Sequence, residues 1–328
     1  MRIGDIDGDE DLDVVVANGR HWPQQNFVFF NQGPARFSIM RSLGQERATT
    51  YATELADLDG DGDLDIAVGN DQARCLVFLN DGFGHFRRGV EFGVVSSIRS
   101  LTLVDLDADG DVDILASCRG MPNRIYLNDG EARFDAGRPF GTASDSTIDV
   151  AVADLNGDGH LDLILANRDS QQNYTLLNDG HMGFARRIPF GTGKDQTRTV
   201  AIGDLDGDGN VDWVAGNIGE PNVVYLGDGN GGVRDSATVG RADGATYALV
   251  IADMDRDGDL IVGNVLQPNA VLFNQGDAKE FREVRFGSQT NATYGLAVGD
   301  LNGDGFPDIA VANSNADNAV FLNHRLNK

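Results

Sequence analysis

Apolar residues in this chain come in short bursts, not in long amphipathic waves. In one representative stretch the bursts fall at 51–56, 64–68, 75–79 and 86–92, each rich in Val, Ile, Leu, Phe and Ala and bounded by Gly, Asn or Asp. Short runs of this composition between turn-forming residues read as β-strands. No segment combines a 3.6-residue apolar period with capping residues, so helices are not expected. The same four-burst pattern returns, nearly in phase, along the whole sequence.

An acidic string marks the phase. D-x-[DN]-x-D-G-x-x-D starts at Asp57, Asp105, Asp154, Asp204 and Asp300, with close variants at Asp5 and Asp253, and the starts lie 47–52 residues apart. Ahead of each later string stands a hydrophobic-glycine pair: Leu43-Gly44, Phe92-Gly93, Phe140-Gly141, Phe190-Gly191, Val239-Gly240 and Phe286-Gly287. After most of them comes a small residue plus asparagine, such as Gly69-Asn70 or Ala166-Asn167, then a turn such as Leu79-Asn80-Asp81-Gly82. Seven units of four antiparallel strands predict an all-β fold, a seven-bladed β-propeller formed by residues 1–328 as one domain. The last unit stops after its third strand, at Leu322-Asn323. That predicts either a three-stranded last blade with an open edge or residues missing ahead of Met1. An open edge would favour pairing with another chain, including self-association.

Charge changes the picture next. Asp plus Glu number 51 against 26 Lys plus Arg, a formal net charge of -25. Nucleic acid is excluded as an expected partner, because phosphate binding needs a concentrated basic surface. With 41% hydrophobic residues the chain can still build a core. No apolar run approaches the ~18 residues of a membrane span, so membrane insertion is not expected. Cys75 and Cys118 are too few for a disulfide framework, and nothing at the start of the chain reads as a signal peptide.

The acidic strings resemble the opening of an EF-hand loop, but that loop needs a bidentate Glu at position 12 and flanking helices. Position 12 of the second string is Val68, inside an expected strand, and the last acid falls at position 9. The string is therefore read as a calcium-binding hairpin between the first two strands of a blade. Side chains at positions 1, 3, 5 and 9 and the backbone carbonyl at position 7 would supply hard oxygen ligands, with Gly at position 6 for the turn.

In chain order the expected ligands begin with Asp5, Asp7, Asp9 and Asp13, then Asp57, Asp59, Asp61, Asp63 and Asp65. Asp105, Asp107, Asp109, Asp111 and Asp113 form the third set, and Asp154, Asn156, Asp158, His160 and Asp162 the fourth. Asp204, Asp206, Asp208, Asn210 and Asp212 form the fifth, and Asp300, Asn302, Asp304, Phe306 and Asp308 the seventh. Glu10 stands where the first loop wants glycine, so a strained or altered turn is expected there. The sixth loop (Asp253, Asp255, Asp257) reads as having lost its position-9 acid in a deletion after Leu260, leaving a weak site or one rescued by another group. Five to seven structural Ca²⁺ ions are expected, since crowded carboxylates would otherwise repel one another.

The opposite face collects the starts of the innermost strands and the loops between second and third strands. Tyr51, Arg99, Arg198, Tyr247 and Tyr294 occupy equivalent strand starts, and Trp22 lies in an enlarged loop, Arg20-His21-Trp22-Pro23. Such a set can stack on sugars and pair with carboxylate or sulfate, so these six are candidate ligand residues; closure of the propeller channel by the same side chains is the competing reading. Trp213 is expected in the core.

The Phe-Gly pair, the acidic hairpin and the small-Asn pair together resemble the FG-GAP or VCBS repeats of integrin-α-like propellers, over essentially the whole chain. Asn stands where the integrin form has Ala-Pro, so the microbial branch is the nearer likeness. The resemblance implies a calcium-binding extracellular or cell-surface module that recognises glycans or protein partners in adhesion or lectin-like roles. Two further possibilities are a polysaccharide lyase using Arg99, Arg198, Tyr247 and His21, and a spacer. No catalytic motif accompanies these residues, so no catalytic residue is assigned.

Overall fold

The computed structural model describes residues 1–255 and 257–324. Among them there is no helix, and seven antiparallel sheets follow one another along the chain as the blades of a seven-bladed β-propeller. In blade two the strands are Thr50–Ala56, Asp65–Asn70, Cys75–Leu79 and Arg87–Phe92, within about two residues of the bursts in the sequence. Each pairs with the next in register, Ala56 opposite Asp65, Ile66 opposite Phe78 and Cys75 opposite Phe92. Two compact units make up the chain. One contains blades one to three and the other blades four to six, and the last blade contributes segments to each.

Second strands are buried along nearly their whole length, as in Asp65–Asn70 and Asp212–Asn217, because neighbouring blades cover both of their faces. Fourth strands face solvent and carry the arginines, as in Arg87–Phe92. Within the first unit, Ala67, Val77 and Phe92 pack with Ile114, Ala116 and Tyr126 of the next blade. Within the second, Val214, Val224 and Leu226 meet Leu260, Val262 and Leu272. Trp213 is core as expected, its ring stacked on Tyr225 and edge-on to Phe190.

The small-Asn landmark has a structural job that its spacing alone does not disclose. Asn26 Nδ2 donates to Thr50 Oγ1 at 3.0 Å, and Thr50 Oγ1 donates to Asn70 Oδ1 at 2.9 Å, so a side-chain relay joins blades one and two. Asn269, Thr293 and Asn313 repeat it between blades six and seven. All three members of the first relay are buried. Thr50→Val keeps the shape but orphans one donor and one acceptor, so it is expected to lower stability by about 1–3 kcal/mol, read by urea unfolding. Unchanged unfolding would show the relay to be incidental. Asn173, which begins a glycosylation-type triplet, is likewise buried and donates to Thr197 Oγ1, so its amide is not open to modification in the fold. Cys75 and Cys118 share one core cluster as free thiols, and burial pushes the Cys75 thiol up to about 12.

Among the described residues the last blade has three strands, Thr293–Gly299, Asp308–Asn313 and Ala319–Phe321.

Candidate functional site

Each acidic string folds as a tight hairpin between first and second strands, and its geometry repeats almost atom for atom. The position-1 carboxylate accepts from the backbone N–H groups of positions 4 and 6, as Asp57 does from Gly60 at 2.8 Å and Gly62 at 3.0 Å. The position-5 carboxylate accepts from position 7, as Asp61 does from Asp63 at 3.0 Å. The position-9 carboxylate is fully buried and ties three segments together. Asp65 Oδ2 accepts from Leu58 N–H at 3.1 Å, and its Oδ1 accepts from Asn80 N–H at 2.9 Å in the turn between third and fourth strands. Asn80 Nδ2 then donates to Ile6 O of blade one and to Leu64 O, so the hairpins of adjacent blades are clamped to each other.

Two positions in the loop take a left-handed backbone. Gly60 and Gly62 have φ of 76° and 93°. Glu10 adopts 71° and still donates its N–H to Asp5 Oδ2 at 3.1 Å. The first turn is therefore strained, as expected, but not altered. The position-4 requirement went unnoticed in the sequence because most copies have Gly there; among the described residues the exception is Ala108 at 61°. Ala108→Gly and Glu10→Gly are each expected to stabilise the fold by about 0.5–1 kcal/mol through relief of this strain, seen as a higher midpoint in thermal melts.

The sixth loop corrects the sequence reading. Its deletion lies before Asp259, not after Leu260, and Asp259 takes the position-9 role. Asp259 Oδ2 accepts from Met254 N–H at 3.0 Å and Oδ1 from Asn274 N–H at 2.9 Å, as Asp65 does in blade two. A register argument hid this, because the loop shortens by two residues while keeping every contact of its final acid.

Position 3 is the exception to backbone satisfaction. Asp7 Oδ1, Asp59 Oδ1 and Asp206 Oδ1 are buried with no hydrogen-bond partner, and so is Asp257 Oδ1 in the shortened loop. Where position 3 is Asn, it donates instead, Asn156 Nδ2 to Asp158 and Asn302 Nδ2 to Asp304. Carboxylate oxygens of Asp5, Asp7 and Asp13 lie within 4.8 Å of one another. The same holds for Asp57, Asp59 and Asp61; Asp105, Asp107 and Asp113; Asp204, Asp206 and Asp212; and Asp255, Asp257 and Asp259. Burial, reinforced by the neighbouring acids, pushes Asp7, Asp59 and Asp107 above the ordinary carboxylate range. Burial also raises Asp13 to about 7 and Asp65 and Asp113 to about 6, against the pull of their backbone hydrogen bonds. A buried carboxylate oxygen without a donor is costly, and a hard cation is the group this oxygen-only donor set fits.

Models of the FG-GAP-like repeat match residues 5–68, 57–116, 105–165, 154–215 and 204–262, and the FG-GAP repeat matches 292–323. The chain belongs to the FG-GAP repeat family. No curated protein matches it. Among solved structures it resembles BBS1N, crystallised in complex with ARL6DN. The mercury-soaked crystal aligns at TM-score 0.62 and 14% identity over 95% of this chain and 86% of that one. The lead-soaked crystal aligns at 0.66 and 14% over 98% and 91%. At that identity the likeness bears on fold alone.

In this FG-GAP propeller the Tyr and Arg candidates form two groups, one in each unit. Tyr51 carries the Arg99 guanidinium over its ring at 4.4 Å and that of Arg20 at 5.2 Å, and Arg99 pairs with Asp71 at 2.9 Å. In the other unit Arg198, mostly buried, lies over Tyr247, which meets Tyr294 edge-on with centroids 4.9 Å apart. These side chains are thus engaged with one another. Trp22 is different: 66% of it is exposed, beside the His21 ring.

Proposed function

We propose that this FG-GAP propeller is a calcium-stabilised recognition module, its ions bound in the acidic hairpins and its partner engaged elsewhere on the blades. The carrying observation is the set of buried, donorless carboxylate oxygens on Asp7, Asp59, Asp206 and Asp257. Positions 1, 3, 5 and 9 would hold the ion, and its contribution is charge neutralisation that keeps each hairpin closed. The protein's own oxygens largely fill the coordination sphere, which suits a structural ion better than a catalytic one. Extracellular modules of this donor type bind at roughly 10⁻⁴ to 10⁻³ M, so an extracellular or cell-surface setting belongs to the same reading.

A protein or glycan is the proposed class of partner. The solved propeller of the same fold is a protein in complex with a protein, which supports the first, and exposed Trp22 supports either. The lyase reading has no comparable support, since Arg99 is committed to Asp71 and Tyr51. Equilibrium dialysis against ⁴⁵Ca²⁺ tests the ion: five to seven bound per chain is the expected result, and none at millimolar calcium would end the proposal. A screen of glycans and candidate ectodomains, repeated with Trp22→Ala, tests recognition.

A further inference from the structure

The loops between second and third strands share one closing hydrogen bond, and it reveals a departure in blade one. The last residue of the second strand donates its N–H to an Asn Oδ1 opening the third. Cys118 does so to Asn123, Asn217 to Asn222 and Asn264 to Asn269, each pair five positions apart. Asn167 and Asn173 of blade four are six apart. In blade one Asn18 donates to Asn26, eight positions away, so this loop carries three residues more than the common form.

The enlarged loop has a rigid base. Asn18 O accepts from Thr50 N–H at 3.1 Å, and Asn18 Nδ2 donates to Gln25 O at 3.0 Å. Gln25 Nε2 donates to Leu43 O at 2.7 Å, and Gln24 pairs with Ala48, which extends the fourth strand to Ile39–Ala48. Gly19 turns against this base with φ of 97°, where a Cβ would be 2.2 Å from Ala48 O. On top of it stands exposed Trp22, whereas Trp213 is buried.

Guanidinium groups border the loop. Those of Arg20 and Arg99 lie over the Tyr51 ring. Arg47, next to Ala48, is exposed and has no ion-pair partner among the described residues. The acids of the adjoining segments are engaged, Asp71 by Arg99 and Glu46 by Arg88, each at 2.9 Å. In a chain with a formal charge of -25, this is a local reversal of sign.

We infer that the blade-one loop is a glycan subsite selective for sugars that carry an oxyanion, either a uronate carboxylate or a sulfate ester. The apolar face of the sugar ring stacks on Trp22, and Arg20 and Arg47 pair with the anionic group. Insertions in one loop of a repeat fold add binding without disturbing the stacked blades. One aromatic platform rimmed by cations matches one or two sugar residues, whereas a stable protein interface takes roughly 800 Å² from each partner. The inference rests on the recognition reading and narrows it to a ligand class and a place.

The probes are tetragalacturonate, a sulfated galactose tetrasaccharide and a neutral one, each titrated calorimetrically into the full chain at fixed calcium. Saturable binding of at least one acidic probe is expected, with the neutral one at least about tenfold weaker. Trp22→Ala should weaken the acidic probe about tenfold or more, and Trp22→Phe less than about threefold, because an aromatic face is kept. Arg47→Gln should weaken it about threefold or more and flatten its salt dependence. Both side chains are exposed, so the variants should melt with the parent. Equal binding of the neutral sugar, or Trp22→Ala binding like the parent, would overturn the inference. Silence on all three sugars would do the same, and the recognition reading would then stand only if an ectodomain binds.

Discussion

Chelating calcium at neutral pH is expected to lower the melting temperature by on the order of 10–15 °C. If each hairpin binds near 10⁻⁴ M, millimolar calcium stabilises it by about 1.4 kcal/mol. Five to seven hairpins then give on the order of 10 kcal/mol, and a chain of this length shifts by roughly 1.5 °C per kcal/mol. The pH dependence carries a sign that distinguishes this from a general salt effect. In EDTA, Asp13 and Asp259 titrate near 7 and Asp65 and Asp113 near 6, raised above the unfolded value chiefly by burial. The folded chain then holds protons that the unfolded chain has released. Metal-free stability should therefore fall as pH rises from about 4 to 7. Acids held below their ordinary range, such as Asp154 and Asp179, act in the opposite sense but only at lower pH. With calcium present, deprotonation helps binding, so the gap between the two melting curves should widen from pH 5 to 7.5. Curves that stay parallel would refute calcium binding by these acids.

The second large effect is at position 9. Asp65→Ala removes the acceptor of two buried N–H groups, those of Leu58 and Asn80, and opens the junction of three segments. Two orphaned donors cost about 2–6 kcal/mol, with or without calcium. Asp59→Asn provides the contrast, because Asp59 Oδ1 has no donor to lose, Oδ2 has only the long 3.4 Å contact to exposed Arg87, and the carboxylate is crowded by Asp61 and Asp57. That variant should be as stable as the parent, or more stable, in EDTA and less stable in calcium. Urea unfolding of both variants in both media gives four midpoints. Asp65→Ala falling only in calcium, or Asp59→Asn falling in EDTA, would reverse the roles assigned to the two acids.

The legibility of this protein in its sequence follows from its repetition. A seven-fold period of acidic hairpins, each followed by the same short apolar runs, determined the strand order, the blade count and the positions of the hairpin acids, because local turn chemistry repeats wherever the string repeats. Contacts that link one repeat to another were not legible in this way. That Asn26, Thr50 and Asn70 form a relay depends on blades lying side by side, and nothing in any one repeat demands it. That Asp259 replaces the missing acid depends on where the shortened chain re-enters the second strand. Whether Tyr51, Arg99, Arg198, Tyr247 and Tyr294 are free or engaged was likewise decided in three dimensions, where guanidinium groups found aromatic faces. Local sequence thus specified the hairpins and strands, through turn propensity and burial period. Tertiary packing alone decided which buried polar groups found partners and which oxygens, those of Asp7, Asp59, Asp206 and Asp257, were left without one.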